Sequence, residues 1–237
     1  GRPVKEVIRD GRSDDAVFES EAESLIKEEK VVTVFGCWTS ASRKTVKPIF
    51  EKHDHLLVYP LQYEGLETSP CIVYIGAAPN QQILPALHWA ETVAGKKRFF
   101  LVGSDYVFPR AAHAIIKDQL MRDDKNIVGE GYVKLGSQKF DTVIDAIRKA
   151  KPDMILNTIN GDSNVGFFRA LREAGIQSVD TPTLSFSIDE QGLRSLSAEK
   201  LEGDYAAWTY FQSVAGPENE DFLKRFRAKY AHHIVTD

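Results

Sequence analysis

The stretch Val31 to Pro48, VVTVFGCWTSASRKTVKP, decides the fold. Its first five residues are apolar or β-branched, and the run stops at Gly36. That pattern predicts a strand over 31–35, buried on both faces as in a parallel sheet. Trp38, Thr39 and Ser40 follow, and a helix is expected from about Ala41 to Lys52. Pro48 is awkward inside such a helix, because proline removes a backbone donor. A strand, a tight turn and a helix opened by hydroxyls make a ligand loop. The helix start offers unpaired N–H groups and the positive end of the dipole.

Outward from this loop, the same rhythm repeats. Upstream, a short strand is expected over Val4–Arg9, then a helix capped by Ser13 or Asp14 and running to about Lys30. Downstream, strands are expected at 56–59, 72–75, 98–102, 126–133, 153–157, 183–186 and 205–208. Helices are expected at 81–94, 109–121, 140–149, 165–174, 189–196 and 218–230. Alternating strands and helices imply an α/β protein with parallel sheets covered on both faces. The rhythm breaks near 61–79. The expected organisation is a first lobe over 1–78, a second over 79–207, and a return to the first over 208–237.

Composition excludes several classes. The chain has 237 residues, 43% hydrophobic and 27% charged, with a formal net charge of −4. No basic stripe interleaved with aromatics suggests nucleic acid. No apolar run approaches the roughly 18 residues of a membrane helix. The opening GRPVKEVIRDG lacks the apolar core of a signal peptide. Cys37 and Cys71 each sit beside an apolar run and are read as buried free thiols. GxGxxG and GxxxxGK[ST] are both absent, and no cofactor or metal motif is found. His113, His232 and His233 have no ligand spacing and are assigned to the surface.

Ligands of doubly wound sheets sit beyond the carboxyl ends of strands. The loops there are 36–40, 59–65, 103–106, 160–163 and 185–189. They carry Tyr, Trp, Asp, Asn, Gly and Ser, a set suited to a small polar uncharged ligand. For Thr39 and Ser40, ligand binding and helix capping compete on equal terms. Tyr59 and Tyr63 are wall residues or packing, and Gln62 and Glu64 are polar candidates, although a solvated loop position is the stronger expectation for Glu64. Tyr106 is the favoured aromatic of the second lobe. Asp162 binds ligand or caps the following helix. Cys37 after a strand has the position of a nucleophile, but no base is placed to activate it, so catalysis is not expected.

Six motifs carry a resemblance: GCWTSASRK, LLVYPLQYEGLETSP, GAAPNQQ, FFLVGSDYVFPR, NTINGDSNVGFF and YAAWTYFQSV. Together they resemble the urea and short-chain-amide binding proteins, a branch of the type I periplasmic binding proteins related to branched-chain amino-acid binders. The likeness runs from about Gly11 to Tyr230. It implies two Rossmann-like lobes joined by a hinge, closing over a ligand without chemistry. It assigns Trp38, Thr39, Ser40, Tyr59, Leu61 and Gln62 to the first-lobe wall. Tyr106 and Asp162 fall in the second lobe. The amide sensor of the same group has Tyr in place of Trp38 and Thr-Pro in place of Leu61-Gln62.

The resemblance further implies an extracytoplasmic protein that delivers urea or a short amide to an ABC importer permease. The alternative is a sensor domain of a signalling or regulatory protein, cytoplasmic in the amide-sensor case. A homodimer is compatible with either. Members of the group open with a further strand, loop and helix and continue past Tyr230, so the first lobe is expected to be incomplete.

Overall fold

The computed structural model describes residues 3–122, 126–196, 201–231 and 233–235. The chain divides into two compact units, Gly1–Ala78 and Pro79–Asp237.

The first unit holds helix α1 (Asp15–Lys27), strand β1 (Val34–Phe35), helix α2 (Ser40–Lys52), and strands β2 (Leu57–Tyr59) and β3 (Ile72–Tyr74). Asp14 caps α1 by accepting a hydrogen bond from the Val17 N–H at 3.1 Å. The three strands are parallel in the order β1-β2-β3. Ala22 of α1, Val46 and Phe50 of α2, and Leu57, Tyr59 and Ile72 of the sheet form one core. Pro48 sits inside α2, which continues through it.

Two expectations fail in this unit. Residues 4–9 form no strand, and Val4 and Ile8 are exposed. They have no ladder partner among the described residues, and isolated strands are not stable. The strand expected over 31–35 is only Val34–Phe35 and is not buried on both faces. Phe35 shares a row with Val58 and Val73, and Phe35 is 70% exposed. Both helices contribute to the core on the opposite face, and in this row Val73 is also exposed while Val58 is half-buried.

The second unit begins with α3 (Ile83–Thr92) and β4 (Arg98–Ser104), then α4 (Val107–Arg122) and β5 (Asn126–Val133). There follow α5 (Asp141–Ala150), β6 (Met154–Thr158), α6 (Ser163–Glu173), β7 (Thr183–Ser185), α7 (Glu190–Arg194), β8 (Tyr205–Ala206) and α8 (Pro217–Lys229). Its five parallel strands run β5-β4-β6-β7-β8. The sheet is doubly wound. Phe99 and Leu101 of β4 pack with α3 and α4 through Leu87, Phe108 and Ile116. Phe100 and Val102 pack with α5 and α6 through Ile144, Ile147, Phe167 and Leu171.

The order β5-β4-β6 places a topological switch point between β4 and β6. After β4 the chain crosses one way to β5, then returns past β4 to β6. Crevices for ligands open at such points, beyond the strands' carboxyl ends.

Other boundaries shift by small amounts. Gly103 and Ser104 belong to β4 rather than to a turn, because β4 pairs with β5 through Ser104↔Val133. Helix α6 starts at Ser163, two residues before the apolar Val165 that marked it in the sequence. Residues 208–231 group with the second unit. Glu190 holds them there, accepting from the backbone N–H groups of Gln212 and Ser213, each at 3.0 Å.

Candidate functional site

In the first unit, the β1–α2 loop and the loop after β2 meet around one buried arginine. Thr39 is the N-cap of α2, its Oγ1 accepting from the Ser42 N–H at 3.0 Å. Ser40 is buried and accepts from Arg43 Nη1 at 3.0 Å. Arg43 Nη2 donates to Glu64 at 2.8 Å, and its Nε donates to Glu67 at 2.9 Å. Lys44 joins the same two carboxylates. The guanidinium carbon of Arg43 lies 4.7, 5.4 and 5.7 Å from the ring centres of Tyr59, Tyr63 and Tyr74. The positive charge thus faces three aromatic rings as well as two carboxylates.

The expected contacts of this unit are redistributed accordingly. Tyr59 is fully buried, and its hydroxyl donates to the carbonyls of Trp38 and Gln62. Burial pushes its pKa up to about 12. Gln62 is buried, whereas Trp38 is 46% exposed. Glu64, expected in solvent, is 3% exposed. Gly76 leaves room for the loop after β2, since a Cβ there would lie 1.8 Å from the Leu61 carbonyl oxygen. Cys37 and Cys71 are free thiols. Burial raises the Cys37 thiol to about 11, opposing the thiolate that a nucleophile needs.

In the second unit, the carboxyl ends of β4, β6 and β7 carry a dense polar array. Ser104, Asn157, Thr158, Asn160, Ser163, Asn164 and Ser185 are all buried there. Asn160 ties three loops together. Its N–H donates to Ser104 Oγ at 3.0 Å, its Nδ2 donates to the Tyr106 hydroxyl at 2.9 Å, and its Oδ1 accepts from Ser187 Oγ at 3.1 Å. Asn157 donates to Asn164 and Ser185 and accepts from the Ile159 N–H. Ser163 Oγ, fully buried at the first residue of α6, has no hydrogen-bond partner.

Tyr106 therefore lies at the switch point, half-buried beside Asn160. Asp162 does not join the array. Its side chain is exposed and makes no capping bond, although it occupies the N-cap position of α6. His113, assigned to the surface, is fully buried between Thr158 at 2.9 Å and Glu130 at 3.0 Å. Burial holds its pKa down at about 4, so the ring is neutral at pH 7. His232 lies outside the described residues, and His233 is exposed. Lys117 and Tyr132 also bind Glu130, which is held at about 2 against the opposing effect of burial.

The buried ion pair of this unit lies at the opposite end of the sheet from the polar array, whereas the exposed pair Arg110–Asp105 follows β4 at the same end. At the amino ends of the strands, Arg172 pairs with Asp204, and Asp153 accepts from the Lys97 and Arg98 N–H groups. At the carboxyl ends, the buried polar groups among the described residues are uncharged. The burial of Arg43, Glu64, His113 and Asn160 was not legible in the sequence; three-residue spacings link Ser40 to Arg43 and Glu64 to Glu67, but nothing in them signals burial.

No group of three or more His, Cys, Asp or Glu among the described residues could hold a metal ion. No helix among them is long and apolar enough to cross a membrane.

Solved structures share the fold. A solute-binding protein of an ABC transporter from R. palustris, in complex with 4-hydroxybenzoate, is 23% identical with a TM-score of 0.83. The match covers 94% of this chain and 61% of that one. A leucine-binding protein from Thermotoga maritima is 19% identical with a TM-score of 0.81, covering 94% and 64%. An ABC transporter substrate-binding protein from Sphaerobacter thermophilus is 21% identical with a TM-score of 0.81, covering 98% and 65%. The chain thus spans less than two thirds of the length of these relatives. The family model described as periplasmic binding protein domain matches residues 1–237, and the chain belongs to that family.

Proposed function

We propose that the chain is the ligand-binding part of an extracytoplasmic solute-binding protein that captures urea or a short-chain amide for an ABC importer, without catalysing a reaction. The observation that carries this reading is the neutrality of the buried polar array beyond β4, β6 and β7. Serine, threonine and asparagine side chains can match the carbonyl and N–H groups of an amide. They offer no buried cation to a carboxylate.

The first unit adds to the same argument. Arg43 is the one buried Lys or Arg among the described residues, and it is committed to Ser40, Glu64 and Glu67. A carboxylate ligand that used Arg43 would have to break that set. Known neighbours are described with leucine or hydroxybenzoate, which are acids. This chain has no spare buried cation among the described residues, so a carboxylate would have to rely on N–H and O–H donors alone. Urea presents one carbonyl and four N–H groups, and each group buried without a partner costs about 1–3 kcal/mol. Discrimination against other solutes would come from that penalty.

In this reading the ligand-binding residues are Trp38, Thr39, Ser40 and Gln62 of the first unit and Tyr106 of the second, while the buried Tyr59 braces the Trp38 and Gln62 loops from behind. Asp162 enters only as an exposed carboxylate that can accept an N–H group. Calorimetric titration of Tyr106→Ala tests the assignment. Urea or acetamide affinity should fall at least tenfold with the fold retained. Unchanged affinity would remove Tyr106 from the site.

A further inference from the structure

We infer that Asn160 is a positioning residue that sets Tyr106 for ligand through its side-chain amide, an inference that rests on the ligand reading above. Tyr106 stands just after β4, beside the ends of the adjacent strands. A half-buried tyrosine in such a loop has freedom about two side-chain torsions. Asn160 restricts it. The Asn160 Nδ2–H donates to the Tyr106 hydroxyl at 2.9 Å, which fixes the far end of the ring.

Asn160 is itself held on every polar atom of its side chain and at its N–H. Ser187 Oγ donates to Oδ1 at 3.1 Å, which orients the amide so that Nδ2 faces Tyr106. Ser104 Oγ accepts the Asn160 N–H at 3.0 Å and fixes the backbone. Ser104 ends β4, Asn160 follows β6 and Ser187 follows β7. Three neighbouring strand ends are therefore locked to one another through one 2%-exposed residue. The lock spans the switch point, where the fold opens its crevice.

The direction of the bond also matters. Asn160 takes an acceptor position on the hydroxyl oxygen, so the phenolic proton points away from Asn160. A carbonyl or carboxylate in place of the amide would reverse this and draw the proton inward. The side chain at 160 thereby sets both the angle of the Tyr106 ring and the polarity of its hydroxyl. This gives it an effect on ligand preference with no contact of its own to the ligand.

The test is a double-mutant cycle on the chain, read by calorimetric titration with urea and with acetamide. Asn160→Ala should weaken binding roughly five- to tenfold, the worth of one neutral hydrogen bond. In a Tyr106→Phe background, the same substitution should change affinity less than about twofold, because the hydroxyl it acts on is gone. Equal losses in both backgrounds would show a merely structural residue and overturn the inference. Should Asn160→Ala not fold, Asn160→Asp and Ser187→Ala carry the same cycle. Each should weaken binding with Tyr106 present and leave it unchanged in the Tyr106→Phe background, and loss in both backgrounds again overturns the inference. If the wild-type chain binds urea or acetamide and Asn160→Ala binds as tightly, the inference alone falls. If the wild-type chain binds neither, the ligand reading falls and takes the inference with it.

Discussion

Arg43 Nη2 lies 2.8 Å from Glu64 Oε1, and the two side chains are 0% and 3% exposed. Both charges have left water, so each depends on partners within this cluster, Glu67 for Arg43 and Lys44 for Glu64 besides each other. Removing one partner of a buried pair leaves the other uncompensated, at a cost of about 3–5 kcal/mol. Arg43→Met should therefore destabilise the first unit by about that amount in chemical denaturation with guanidinium chloride. A loss below about 1 kcal/mol would mean that the arginine is solvated in solution.

The acid limb of stability has a named source in the same cluster. Glu67 is held at about 2 although burial alone would raise it, because Lys44, Tyr74 and Arg43 bond to its carboxylate. Its unfolded value is near 4.5. The stabilisation is full above pH 4.5 and is lost as pH falls toward 2. Glu67→Gln should flatten the stability profile of the first unit between those values. An unchanged profile would remove Glu67 as a source of the acid limb.

His113 predicts a second window at higher pH. Its folded pKa is near 4 against 6.5 unfolded, with burial the largest cause. The unfolded chain binds the proton first, so stability is full above pH 6.5 and declines as pH falls toward 4. The contribution of His113 should vanish in His113→Phe, measured as the difference in unfolding free energy between about pH 7 and about pH 5. Between those values Glu130, already near 2, stays ionised. Equal pH dependence in the two proteins would contradict the buried neutral ring.

Much of the fold was legible because its signals are local. The runs RFFLV and MILN, and the apolar spacing of α5 and α6, mark a parallel sheet without any knowledge of partners. The two-faced burial of β4 follows from Phe99 and Leu101 facing one helix layer and Phe100 and Val102 the other. The failures are non-local. Val31–Phe35 has a buried strand's composition, but its burial depends on what packs against the Phe35, Val58 and Val73 row. Val4–Arg9 has a strand's pattern and lacks a partner to pair with among the described residues.

The site divides the same way. Tyr106 and Ser40 could be named as candidates because they lie next to a strand end or at a helix start, positions that sequence marks. Arg43, Glu64 and His113 were assigned to solvent or passed over because charged side chains are almost never fully buried unless paired. Their partners lie 21 residues away for Arg43 and Glu64, and 45 for His113 and Thr158. No spacing rule reaches that far. Asn160 was seen only as one member of a strand-end loop, and its partners come from the end of β4 and from the loop after β7.

Cys37 offers a chemical check on the proposal that the chain catalyses no reaction. A thiol raised to about 11 by burial is almost wholly protonated at neutral pH. Iodoacetamide should label Cys37 more than about tenfold more slowly than an unstructured cysteine peptide. Labelling as fast as the peptide would restore Cys37 as a candidate nucleophile.

The central claim is that the site takes a neutral amide. The most direct measurement is the thermal shift of the chain with urea, acetamide and formamide, each at millimolar concentrations too low to denature, set against leucine and 4-hydroxybenzoate. At about 100 times its dissociation constant a ligand adds about 2.7 kcal/mol, a shift of several degrees. The account predicts that shift with urea or a short amide and none with either acid. A shift with leucine or 4-hydroxybenzoate alone would contradict it.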